Sequence, residues 1–230
     1  MSRRMWIPLG AVILVVNAVQ WVVAEAVTAA AWTNPPYSYA RNYISDLGVP
    51  DCGARFQGRD ICSPDHALVN TSFVLEGILF ATGVLLLARL VEGRVRRVVI
   101  ALAVAHGVGM VLVGLFHGSE SGPSFGLVVH VGGAGVGILC ANTLAILAGS
   151  LRSLGLPSAY RVFSVTVGVL GLVSVAAVGG VSASVAGLFE RGSVYSWLLW
   201  SVVTGGLLVA RALRRPAVGG GVPTVENVSA

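Results

Sequence analysis

VVIALAVAHGVGMVLVGLFHGSESGPSFGLVVHVGGAGVGILCANTLAILA, residues 98–148, decides the fold. Two apolar runs, 98–116 and 125–148, flank the polar segment HGSESGP at 117–123. Each run is close to the roughly 20 residues that a helix needs to cross the hydrocarbon core of a bilayer. The Gly-Pro pair between them cannot continue a helix, so the stretch reads as a membrane hairpin. The hairpin turn holds His117 and Glu120, and His130 follows one turn into the second run. These are unusual residues for a plain turn, and they raise the question of a reactive site.

The same pattern recurs on both sides of this hairpin. Further apolar runs lie near 5–31, 67–90, 162–188 and 194–213, giving six spans in all. The composition agrees: 55% of the 230 residues are hydrophobic, against only 11% charged, where soluble domains carry about 25%. Residues 1–215 thus form one all-α, six-helix transmembrane domain. The tail 216–230 has no apolar periodicity and is expected to be disordered. MSRR before an apolar run resembles a secretory signal, but the run from Trp6 to Trp32 is longer than a signal core of about 7–15 residues. A retained first span is the expectation.

All fifteen basic residues are arginines, and they collect at the ends of apolar runs. That distribution reads as a topology signal, not as a phosphate-binding face, and no nucleic-acid partner is expected. With the N-terminus inside, Arg3, Arg4, Arg89, Arg94, Arg96, Arg97, Arg152, Arg161, Arg211, Arg214 and Arg215 fall on the inner side. Only Arg41, Arg55, Arg59 and Arg191 fall outside. The excess of positive charge predicts a multi-pass protein of the cell membrane with both termini cytoplasmic. The long connection 33–66 is then extracytoplasmic, where its Cys52 and Cys62 are expected to form a disulfide.

Polar residues inside the spans carry the next information. Glu76 and His106 each lie about nine or ten residues from a span end, roughly 14 Å deep at 1.5 Å per residue. Ionisable groups at that depth need a partner, and an antiparallel hairpin can pair these two. The pair fixes helix register or handles a proton. Glu25, Asn70 and His130 lie nearer the outer surface, while Asn17, Gln20 and Asn142 read as interhelical glue. VGGAGVG at 131–137 does not satisfy the dinucleotide-binding pattern, and Gly133 and Gly137 match the small-residue spacing of close helix contacts. Asn70-Thr71-Ser72 fits a glycosylation acceptor only formally.

The outer side gathers YARNYISDLG (39–48), the turn at 117–123 and FERGSVYSW (189–197). Asp46, His117, Glu120, His130, Glu190, Arg191 and Tyr195 therefore converge on one membrane face. Three readings compete for them. In the first, they are interfacial salt bridges and caps that tie down the long loop. In the second, His117 or His130 is a general base oriented by Asp46 or Glu120, acting on a lipid with Ser45 or water as nucleophile. Arg191, with Glu190, Tyr195, Ser45 and Asn70, would then hold the substrate, the guanidinium taking an anionic head group. In the third, His117, His130 and a carboxylate bind a metal, but their spacing matches no zinc motif, so neither metal nor cofactor is expected.

These segments also carry a resemblance. NYISDLG after the first span, the Asn70 region, HVGGAG through CANTLAILAG in the fourth span and ERGSVYSWLLW in the sixth resemble the bacterial integral-membrane family catalogued as domain of unknown function 998. The resemblance covers the chain to about residue 212 and implies a six-span bundle, without supplying an activity. More remotely, the YISDLG loop is similar to that of the damage-regulated autophagy modulators and a related GPI-lipid-remodelling group, which tilts the reading toward lipid. The leading expectation is a membrane protein that binds or modifies a lipid or other amphipathic small molecule at its outer face. The alternatives are a non-enzymatic structural or partner-binding protein, and a small-solute or proton-coupled transporter.

Overall fold

The computed structural model describes residues 3–56, 59–117 and 124–214. Six helices are long and apolar enough to cross a membrane. They are α1 (Arg3–Ala31), α2 (His66–Leu87), α3 (Gly93–Leu115), α4 (Phe125–Ser150), α5 (Ser158–Ala177) and α6 (Ala186–Leu213). Each packs against the next in sequence, and α1 also packs against α6, so the six close into a ring. Helices α4 and α6 touch across it. Consecutive membrane spans that pack side by side run antiparallel. One end of the bundle therefore carries the long α1–α2 loop, and the other carries most of the arginines.

The helices are apolar all round, as expected where the surroundings are lipid rather than water. Valines such as Val12, Val16, Val19 and Val23 of α1 point outward. The interior instead holds Asn17, Glu76, His106, Asn142, Ser164 and Thr204 beside Trp21, Phe73, Phe80 and Trp197. Apolar burial gives no preference between helices in lipid, so close packing and buried hydrogen bonds must supply it. Helices α3 and α4 meet most closely at Gly109 and Gly133. A Cβ on Gly109 would lie 2.5 Å from the Gly133 carbonyl oxygen, and one on Gly133 would lie 2.7 Å from that of Gly109.

Three helix limits differ most from the sequence expectation. Helix α5 ends at Ala177 and α6 begins at Ala186, whereas the apolar runs suggested spans of 162–188 and 194–213. Gly179, Gly180 and the serines at 182 and 184 interrupt the helix, the two serine hydroxyls bonding to each other at 3.0 Å. As a result Glu190 and Arg191 sit on the second turn of α6 instead of in a connection. Helix α3 likewise starts at Gly93, five residues before the apolar run, because its first turns carry Arg94, Arg96 and Arg97 out to the exposed end.

The loop is folded onto the bundle. A 3-10 turn, Ser45–Gly48, precedes a hairpin of β1 (Ala54–Phe56) and β2 (Arg59–Ile61). The Cys52 and Cys62 sulfurs beside the hairpin are 2.18 Å apart, a disulfide pair. Cys140 in α4 is free. Ile44, Leu47, Val49 and Ile61 are buried, so the loop plugs its end of the ring with apolar side chains. The expected tail, 216–230, lies outside the described residues.

Candidate functional site: a lidded cavity beside two buried ion pairs

Two buried acids hold the loop in place. Glu25, near the end of α1, receives Arg191 of α6 through Nε and Nη2, both at 3.0 Å from Oε1. Its Oε2 accepts the Tyr195 hydroxyl at 3.0 Å. Arg191 then reaches across the loop: Nη1 donates to the backbone oxygens of Tyr39 (2.7 Å), Asn42 (2.8 Å) and Gly187 (3.1 Å). Its Nη2 also donates to the Tyr37 hydroxyl. The guanidinium sits 4.8 Å from the Tyr39 ring centroid. All five of its N–H groups are thus engaged by the protein itself, and Arg191 is buried.

Asp46 is the second anchor. Fully buried in the 3-10 turn, it takes a two-pronged contact from Arg59 of β2, with Nε at 2.6 Å from Oδ2 and Nη2 at 2.8 Å from Oδ1. The Tyr43 amide (3.0 Å) and Asn42 side chain (3.3 Å) complete its shell. Burial works against the Arg59 cation, but the hydrogen bonds and charge of Asp46 outweigh it and push its pKa up. Burial also raises the pKa of Tyr37 and Tyr43, so both phenols stay protonated. Asn70 at the head of α2 donates to the Gly48 carbonyl at 2.8 Å, tying the same turn to the bundle.

Beside these pairs lies a cavity of about 300 Å³, at the lower end of the range of about 300–1,000 Å³ for small-molecule pockets. Helix α4 supplies one wall with Leu127, His130, Val131, Ala134, Gly135 and Ile138. Val175 of α5 and Val178 just after it add a second wall, α6 supplies Glu190 and Ser193, and the loop covers it with Tyr43, Ser45 and Val49. The polar groups cluster at the loop end. The apolar lining runs inward to Ile138, thirteen residues into α4 and therefore about 20 Å along it. Val131 of α4 lines the cavity and is 59% exposed, so the cavity wall reaches the outer surface of the bundle at this residue.

The hydrogen bonds fix the state of two cavity groups. His130 Nδ1 lies 2.6 Å from the Phe116 carbonyl oxygen and 3.1 Å from that of Val113, the free carbonyls at the end of α3. Carbonyls only accept, so Nδ1 carries the proton, and in the neutral ring Nε2 offers a lone pair. No described residue bonds to that Nε2. Glu190 Oε2 accepts the Ile44 amide, which leaves Oε1 as a free acceptor among the described residues. Ser193 is turned back onto the Glu190 carbonyl at 2.6 Å.

The expected site residues therefore separate into two groups. His130, Glu190 and Ser45 border the cavity. Asp46, Arg191, Tyr195 and Asn70 hold the loop and do not line it. His117 is half-buried just beyond α3 and close enough to His130 for their charges to interact. Glu120 lies outside the described residues. Among the described residues no three His, Cys, Asp or Glu side chains converge on a metal position. Sequence reasoning did not single out Tyr37, Tyr43 or Arg59. A search for cations able to neutralise Asp46 would have found Arg59, since only four arginines belong to this end of the chain.

Deeper in the ring, Glu76 and His106 meet. His106 Nε2 is 2.9 and 3.0 Å from the two Glu76 oxygens, and Nδ1 is 2.8 Å from the Gly137 carbonyl oxygen. Asn17 donates to Glu76 at 3.2 Å, and Gln20 and Ser72 extend the chain. Because the Gly137 carbonyl only accepts, Nδ1 donates to it, and Nε2 faces the carboxylate.

No curated protein and no solved structure matches the chain. A family model described as "protein of unknown function (DUF998)" matches residues 15–207, which covers α2 to α5, most of α1 and α6, and the whole loop. That match, over a ring of six membrane-spanning helices, shows that the chain belongs to the DUF998 family of proteins of unknown function.

Proposed function

We propose that this protein binds an amphipathic molecule, drawn from the surrounding lipid, in the cavity between α4, α5 and α6. The loop-bearing end is extracytoplasmic and both termini are cytoplasmic, because the arginines concentrate at the opposite end. In a bacterial cell membrane the ligand would then come from the outer leaflet. One observation carries the reading: the cavity is polar under the loop, apolar along α4 and α5, and bordered by Val131, which is 59% exposed on the outer surface of the bundle. A head group fits against Tyr43, Ser45, His130 and Glu190, with a chain along Ala134, Ile138 and Val175. The same placement makes His130 the group able to take a proton from a bound molecule, through its unprotonated Nε2.

A purely structural role accounts for Asp46, Arg191 and Tyr195, whose polar atoms are satisfied internally. It gives no reason for a cavity bordered by His130 and Glu190. The test is to fill the cavity. Ala134→Trp places an indole across the apolar wall, and native mass spectrometry of the purified protein reads what remains bound. Wild type is expected to carry a lipid-sized adduct that the variant loses; equal adducts on both proteins overturn the reading. Maleimide labelling of Ser38→Cys in intact cells tests the orientation, with reaction from outside expected and protection until lysis contradicting it.

A further inference from the structure

The cavity's own hydrogen-bond chemistry selects its ligand, an inference that rests on the cavity being a binding site. Two arginines lie near it, and neither is available. Arg191 has all five N–H groups committed to Glu25, Tyr37 and three backbone carbonyls. Arg59 is locked two-pronged onto Asp46. Neither side chain lines the cavity. What faces a ligand is a set of acceptors: His130 Nε2, whose ring proton is spent on α3 carbonyls, and the free oxygen of Glu190. Tyr43 and Ser45 add hydroxyls that can donate or accept.

An anionic head group would meet a carboxyl and a lone pair here, with no cation among the described lining residues to neutralise it, and a buried uncompensated charge is costly. A head group rich in N–H or O–H donors would satisfy every acceptor present. We infer that the cavity takes a single-chain amphiphile whose head group donates hydrogen bonds, a polyhydroxyl or primary ammonium head, and rejects phosphate- or carboxylate-headed ones.

Three probes sharing one diazirine-bearing hexadecyl chain test this: an alkylglycerol, an alkylamine and an alkyl phosphate. Each is photolysed with the full-length protein in nanodiscs, with and without excess unlabelled hexadecylglycerol, and the adducts are mapped by mass spectrometry. Only labelling removed by the competitor counts as cavity binding. The glycerol and amine probes are expected to label 131–138 or 175–178 about tenfold more than the phosphate, the cost of roughly one unsatisfied polar group. In Glu190→Gln the amine is expected to lose its advantage while the glycerol keeps it. If the phosphate probe labels those segments as strongly as the others, the head-group inference fails and the cavity stands as a binding site. If no probe gives competable labelling there, the binding reading fails and this inference falls with it.

Discussion

Single side chains decide what this end of the molecule can do. Arg191 is the clearest case, since its position beside Glu190 in a polar-looking stretch suggests a ligand-facing cation. Its partner Glu25 lies 166 residues away, and that contact turns it inward. Removing one member of a buried ion pair leaves the other charge uncompensated, a loss of about 3–5 kcal/mol. Arg191→Met is therefore expected to lower the melting temperature sharply in detergent and to free the loop carbonyls of Tyr39 and Asn42. Adding Glu25→Gln should recover part of that loss, because the stranded charge is then gone. A double-mutant cycle reads the coupling, and additive effects of the two substitutions would contradict the pairing. Asp46 teaches the same lesson at shorter range, with Arg59 thirteen residues further on. Residue types at the loop end were legible in the sequence, but which of them face a cavity depends on who neutralises whom. Only the folded chain shows that.

At the scale of helices, most of the fold was readable, because about twenty consecutive apolar residues have few other uses. The α5–α6 boundary was not. Glu190 and Arg191 look like a solvated connection until their loop partners are known, and α5 stops at a pair of glycines embedded in apolar residues. Small-residue spacing in α4 was informative, yet it could not separate glycines at the contact from glycines facing outward. Gly133 packs against the backbone of Gly109, whereas Gly132 has nothing within 4 Å of where a Cβ would stand. Gly133→Val is expected to separate α3 from α4 and lose most folded protein in fluorescence-detected size exclusion. Gly132→Ala should be neutral or raise stability by up to about 1 kcal/mol, the helix-propensity difference between the two residues. Equal behaviour of the two variants would show that α3 and α4 do not meet as described.

For the whole molecule, the ring of six helices encloses the Glu76–His106 pair at its centre and holds the cavity near its loop-bearing end. The loop itself is a folded lid, held by two ion pairs and a disulfide, with Tyr43 and Ser45 over the cavity. Everything proposed about function depends on that cavity being reached from the lipid and not sealed inside the bundle. A nitroxide at Ala134→Cys, in a background with Cys140→Ser and the loop disulfide intact, reports this directly by electron paramagnetic resonance. Oxygen, which partitions into lipid, is expected to relax the label strongly, a water-soluble nickel chelate only weakly, and added hexadecylglycerol should slow its motion. A label shielded from both relaxing agents and unmoved by the amphiphile would contradict the account.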